Sequence, residues 1–338
     1  MFPDPMPPRI SIISPSFMQA PFLEECLRSV HEQQGVEVEH IVVDGGSTDG
    51  SVEIIRRHAP HIAWWCSEPD GGQSAAINKG LAHATGDVFG WINSDDMLLP
   101  GALKRVAEAF AADPALVVYG GERIVQGMGI DKVSPIDDPG DPERWFIAPI
   151  INQQSTFFRM DVVRAVGGVD PALHHVMDHE LWLRVLFHAG TAAVRLEQVP
   201  LAVFRRHADT KTTTAGHAFR NELAGVLHGL CIRSGSPDLA KVLTMAHGWP
   251  HDLRPIEVGA EQHDRVRRMT VYFLLKWYHH IFSAEQFHMM RHFRRNVALQ
   301  PTDLDDQQRT WLARLDEELA VPGWWAFRLR RKWRHITA

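Results

Sequence analysis

The feature that most constrains this chain is the regular alternation, over its first 120 residues, of short β-rich runs with stretches of helical periodicity. Arg9–Ser14 reads as a strand, and Pro21–Gln34 sets Phe22, Cys26, Leu27 and Val30 at helical spacing. His40–Val43 is a second strand ending at Asp44, followed by a helix to about His58 capped by Asp49 or Ser51. Ile62–Cys66, Asp87–Asn93 and Leu116–Tyr119 read as further strands, with helices over Gln73–Ala84 and after Pro100. Strand and helix in alternation predict an α/β domain, a mostly parallel central sheet flanked by helices. Beyond residue 120 the pattern loosens. Gly121–Gly129, Ser155–Arg159 and two short runs within Ala192–Arg205, broken at Pro200, read as strands. Asp161–Val166 and Asp178–His188 read as helices, and after a polar loop at His207–Thr214 nearly everything is helical.

A length of 338 residues suits two domains, divided at 215/216 into an α/β domain and a helical module. The net charge of −6 hides a division. Residues 1–220 hold 18 basic and 28 acidic side chains, a net −10; residues 221–338 hold 17 and 13, a net +4. An acidic front argues against nucleic acid as the partner. Cys26, Cys66 and Cys231 share no C-x-x-C spacing, so buried free thiols are expected rather than a zinc or redox pair. His175 and His179 stand four apart without a third ligand, which argues against zinc. No apolar run approaches a membrane span and the start lacks a signal-peptide layout, so the expected location is cytoplasmic.

Ligands of open α/β sheets bind beyond the carboxyl ends of the strands. Three such ends carry acidic or small residues: Asp44–Asp49, Glu68–Gln73 and Asn93–Asp96. Neither G-x-G-x-x-G after the first strand nor G-x-x-x-x-G-K-[ST] is present, which argues against a dinucleotide or P-loop site. An acidic crevice of this kind needs a cation to hold a phosphate, and Asp95 with Asp96 suits Mg²⁺ or Mn²⁺.

These residues resemble family 2 glycosyltransferases with the GT-A fold. The likeness runs through Ser11–Val30, Val42–Gly50, Ser67–Gln73, Asn78-Lys79-Gly80 with Gly90–Asp96, Gly167–Asp170 and Met177–Arg184, to Arg205-Arg206-His207. The resemblance implies an inverting, metal-dependent transfer of sugar from a nucleotide-sugar, with uracil the commonest base, to a saccharide or lipid-linked acceptor. Bacterial surface polysaccharide or glycolipid synthesis is the implied setting. It implies a nucleotide site of Ser14, Pro15, Phe17, Asp44, Glu68, Asp70, Gly72, Lys79 and Asp95. Asp96 is the favoured metal ligand, His207 a late phosphate or metal contact, and Asp178 the catalytic base. Three departures stand out: Phe17-Met18 replaces a frequent Tyr-Asn, Asn93 removes the metal motif's first acid, and Met177 replaces a Glu beside the base. Rival readings are a sugar nucleotidyltransferase, disfavoured because a basic Gly-rich triphosphate loop is missing, and a catalytically silent scaffold.

The rear is basic and rich in tryptophan. In Trp324–Ile336, Trp325, Leu329, Trp333 and Ile336 share one helical face among five Lys/Arg and no acid. Such a helix suits an anionic membrane surface or docking on protein.

Overall fold

The computed structural model describes residues 7–136, 140–208, 210–211, 215–250 and 252–336, without the side chains of 301 and 331–336. The chain divides into two compact units: 1–142 with 149–216, and 143–148 with 217–338. The transfer of 143–148 to the second unit has no sequence signal.

In the first unit, β1 (Ile10–Ser16), β2 (Val38–Asp44), β3 (Trp64–Ser67) and β4 (Val88–Trp91) form a parallel array in the order β3-β2-β1-β4. β1 is buried throughout, as its unbroken ISIIS run requires of a strand covered on both faces. Helix α1 (Ala20–His31) packs Leu23, Cys26, Leu27 and Val30 inward, with Pro21 in its first turn. Helix α2 (Ser51–His58) begins after Gly50, whose φ of 99° favours glycine. Neither expected cap forms; Asp49 accepts from the Ser51 and Ala20 N–H groups instead. Helix α3 is Gln73–His83, and α4, Ala102–Ala112, follows the two-residue strand β5 (Met97–Leu98), which the sequence did not signal.

The two runs expected at Leu116–Tyr119 and Gly121–Gly129 are one strand, β6 (Val118–Gly127), with a hairpin partner, β7 (Ile130–Ser134). Gly120 and Gly121 look like a break, but a Cβ on them would sit 2.8 Å from Leu196 and 2.6 Å from Leu201. The glycines mark close packing inside the strand. The second unit takes α5 (Arg144–Ile147); the first continues with β8 (Thr156–Arg159), α6 (Met160–Ala165) and α7 (Met177–Ala189). His175 precedes α7 rather than sharing a helix with His179. Ala192–Arg205, read as two runs, is one strand, β9 (Val194–Arg205), whose register slips opposite Glu122, where Pro200 cannot donate to the ladder. The sheet order is β3-β2-β1-β4-β8-β6-β9-β5, with β7 on β6. β1–β4, β6 and β9 run one way and β5, β7 and β8 oppose them. The carboxyl ends of β1, β2, β3, β4, β6 and β9 therefore share one edge.

Behind that edge lies a histidine array. His40 Nε2 is 2.9 Å from Ser14 Oγ, and His40 Nδ1 is 2.9 Å from His31 Nε2. The His31 ring lies near those of His58 and His61, and Glu24 binds His58 at 2.7 Å. Burial holds His40 well below the usual imidazole range; burial, then His58 and His61, lower His31 to about 4. The folded state thus binds fewer protons than the unfolded chain between about pH 4 and 6.5. Stability from these groups is complete above pH 6.5 and falls as acid is added, by up to about 1.4 kcal/mol per pH unit per site. Melting scans from pH 7 to 4.5 are expected to show this fall, with a shallower slope in His31→Asn. Identical slopes would exclude the array as the cause.

The second unit comprises α5, α8 (Gly216–Ser234), α9 (Pro237–Leu243), α10 (His263–Tyr278), α11 (Ala284–Asn296), α12 (Asp306–Leu319) and α13 (Trp324–Ile336). Glu143 draws the 143–148 segment in, accepting from Arg265 and, at 2.5 Å, from Arg268. Helix α13 seats Phe327 against Phe287, with Trp324 stacked on Phe327 at 5.3 Å. Trp325 is 76% exposed, with the Arg328 guanidinium over its ring, and Leu329 is also exposed. The Trp333 and Ile336 side chains, expected on the same face, lie outside the described residues. Among the described residues no helix is long and apolar enough to cross a membrane.

Candidate active site

The loop leaving β1 carries Phe17, 62% exposed, and Met18, whose φ of 54° turns the chain sharply. The β2 loop faces it. A Cβ on Gly45 would sit 3.2 Å from the Phe17 ring and 3.4 Å from the Asp70 carboxylate, so Gly45 floors a slot between an aromatic face and an acid. Asp70 is fixed by accepting from the Gly72 N–H at 2.7 Å. Gly72 has φ 97°, and the conformation starts α3. Glu68 and Lys79 pair at 2.7 Å on the rim. The Ser16 hydroxyl, at the end of β1, is buried without a hydrogen-bond partner among the described residues.

Two expected nucleotide contacts turn inward. Ser14 is fully buried and its hydroxyl is engaged by His40. The Asp44 carboxylate is fully buried and accepts from the Gly46 and Ser47 N–H groups and the Ser47 and Ser67 hydroxyls. It is spent on holding the β2 loop against β3. Pro15 is buried in register with Val43.

The metal motif divides its two acids. Asp96 is 0% exposed and accepts from the Gln154 amide at 2.8 Å and the Arg205 N–H at 3.0 Å. Burial, then the neighbouring Asp95, push its carboxyl up to about 8. Asp95 stays accessible, its carboxylate 3.1 Å from His207 Nε2. The His207 ring stacks on Phe22 at 4.6 Å, and Phe22 also lies under the Arg205 guanidinium. Arg205 in turn donates to the Asp95 carbonyl and to Glu25. This scaffold aims Asp95 and His207 together, two donors of the kind Mg²⁺ and Mn²⁺ accept when a substrate diphosphate and water complete the shell. Among the described residues no ready-made cluster of three or more His, Cys, Asp or Glu ligands exists. Asp95 and His207 fit a cation shared with substrate, while Asp96, the expected ligand, is engaged by Gln154 and the Arg205 N–H.

Asp178 stands in the first turn of α7, its Oδ1 accepting from the His179 N–H at 2.8 Å. The loop before it is pinned to α3. Asn78 exchanges two hydrogen bonds with the Val169 backbone, and Ser74 donates to the Leu173 carbonyl. That clamp is the physical use of the Asn78-Lys79-Gly80 and Gly167–Asp170 segments. Lys211 reaches the Gln73 side chain and the His174 carbonyl.

Sequence reading missed a buried amide run, Asn152-Gln153-Gln154. Gln153 links Asn93 to the Trp91 carbonyl, and Gln154 links Asp96 to Arg123. Polar residues before a strand read as loop, and their only signal was an unusual density of amides. Arg123, on β6, carried no signal at all.

A model of glycosyl transferase family 2 matches residues 11–163. The uncharacterized glycosyltransferase MT1564 of Mycobacterium tuberculosis (strain CDC 1551 / Oshkosh) is 32% identical over 217 residues, 58% of this chain and 80% of its own length. The uncharacterized glycosyltransferase alr2836 of Nostoc is 32% identical over 227 residues, 62% of this chain and 68% of its own. Among solved structures, S. aureus TarS 1-349 in complex with UDP has a TM-score of 0.52 at 16% identity, over 93% of this chain and 81% of that one. A longer TarS chain gives 0.53 at 16% identity over 90% of this chain, which spans half its length. At that identity the likeness is one of fold. The alternating strands, the shared edge and these relatives converge: the chain is an enzyme of glycosyltransferase family 2, with a GT-A fold and a helical C-terminal region.

Proposed function

We propose that the protein transfers a sugar, with inversion, from a uridine diphosphate-sugar to a hydroxyl of a saccharide or lipid-linked acceptor in surface polysaccharide or glycolipid synthesis. The observation that carries this reading is that the Phe17–Gly45–Asp70 slot, at the ends of β1 and β2, and the Asp95–His207 pair, after β4 and β9, stand at the same edge of the sheet. The slot suits a flat base: Phe17 offers a ring face and Asp70 a carboxylate. Glu68, Gly72 and Lys79 line the way outward. Asp95 and His207 would hold a divalent cation, which supplies charge neutralisation to the diphosphate leaving group.

Asp178 accepts the acceptor hydroxyl's proton. The acceptor oxygen bonds to the anomeric carbon as the bond from that carbon to the diphosphate oxygen breaks, and the nucleoside diphosphate departs. A single displacement inverts the anomeric centre and needs no second carboxylate nucleophile. The carboxylate is oriented by the His179 N–H, and the clamped 167–176 loop fixes the helix that carries it.

A thermal-shift panel tests the reading. UDP with Mn²⁺ is expected to raise the melting temperature, since a ligand at 100 times its Kd stabilises by about 2.7 kcal/mol. If no nucleoside diphosphate shifts it, the donor site is wrongly assigned.

The second unit supports peripheral attachment to an anionic membrane at the inner face of the cell. Helix α13 already spends Phe327 and Trp324 on protein packing, which leaves Trp325 and Leu329 beside Arg328 for an interface. The double variant Trp325→Ala, Leu329→Ala is expected to cut partition onto vesicles containing phosphatidylglycerol by about tenfold, with the melting temperature unchanged. Unchanged partition would sink the membrane reading.

A further inference from the structure

Arg123 is a half-buried cation that the account above leaves without a purpose. It sits on β6 where β9 slips register, a bulge that re-aims side chains at the carboxyl edge. Its guanidinium lies 4.7 Å from the Phe204 ring centroid, and Nη1 donates to the Gln154 side-chain oxygen at 3.0 Å. Both partners are neutral. Its Nε is buried and has no hydrogen-bond partner among the described residues. Among the described residues no carboxylate pairs with it. Burial disfavours its charge, and the compensating fields are those of Asp96 and then Asp178.

A desolvated cation with an unspent donor costs stability unless a ligand uses it. Gln154 cannot serve as that partner twice. Its oxygen is taken by Nη1 and its nitrogen by Asp96, so the amide holds the guanidinium in one orientation. Among its remaining N–H groups, the buried Nε–H is held in a fixed orientation, which suits an oxygen acceptor, best an anionic one.

We propose that Arg123 is a donor-binding residue whose Nε–H is reserved for an oxygen of the substrate's sugar-diphosphate portion. This rests on the donor-site reading above. The shared chemistry is an oxygen acceptor, supplied either by a phosphate or by a sugar hydroxyl, and the ligands chosen for the test separate them.

Titration calorimetry on the full chain with Mn²⁺ compares UMP, UDP and UDP-GlcNAc for the wild type and Arg123→Met. UMP, which lacks the outer phosphate and sugar, is expected to bind both alike. A weakening of about tenfold or more beginning at UDP assigns the contact to a phosphate oxygen; one confined to UDP-GlcNAc assigns it to a sugar hydroxyl. Either supports the proposal. Equal affinity of both proteins for all three ligands overturns it. So does an equal loss for all three with a lowered melting temperature, the mark of a structural cation. If Arg123→Met does not fold, Arg123→Lys keeps the charge without the Nε–H, and wild-type affinities there overturn the proposal. A wild type that binds none of the three overturns the donor-site reading, and this inference with it.

Discussion

Replacing Asp178 with Asn is expected to lower turnover by about 10²–10⁴-fold, the range that general-base catalysis supplies, while leaving nucleotide binding intact. The substitution is close to isosteric. The Asn side-chain oxygen still accepts from the His179 N–H, so the first turn of α7 keeps its geometry. What the amide lacks is a lone pair basic enough to take a hydroxyl proton. Turnover with saturating donor and acceptor, alongside UDP titration, checks both halves. A variant that turns over at the wild-type rate removes Asp178 from the chemistry, and one that also loses UDP affinity makes it a binding residue.

The second large effect separates two adjacent carboxylates. Asp95→Ala removes a carboxylate that, among the described residues, His207 alone engages, so the fold should be untouched. Its expected signature is loss of the Mn²⁺-dependent part of UDP binding and a fall in activity of about 10²-fold or more, given the several kcal/mol a positioned cation contributes. Asp96→Asn should do the reverse. Asp96 accepts from the Gln154 amide and the Arg205 N–H, and an Asn would set an NH₂ against one of these donors. Turning Gln154 over to relieve the clash would break its bond to Arg123. The expected cost is about 1–3 kcal/mol of stability, read in denaturant unfolding. If Asp96→Asn instead keeps its stability and loses Mn²⁺ response, the ligand is Asp96 after all.

The two acids show why adjacency in sequence says little about role. Both stand on one turn after β4, and the sequence marks that turn as acidic without telling the two side chains apart. Which one meets solvent is decided by residues 58 and 109 positions away, Gln154 and Arg205, which bury Asp96 between them. Asp44 teaches the same lesson. A carboxylate at a strand end reads as a ligand group, but in the fold four donors from its own loop and β3 engage it.

By itself the sequence determined the alternating α/β domain, the helical rear and the family. These follow from periodicity and from glycines and acids at strand ends, which are local properties of the chain. Tertiary structure decided what depends on partners distant along the chain. It joined β6 across Gly120-Gly121, because Leu196 and Leu201 fill the space a side chain would need. It drew 143–148 into the second unit through Glu143 and the arginines of α10, and it left the Arg123 Nε buried with no acceptor among the described residues. Burial and hydrogen-bond completion are properties of the folded neighbourhood, and no single segment encodes them.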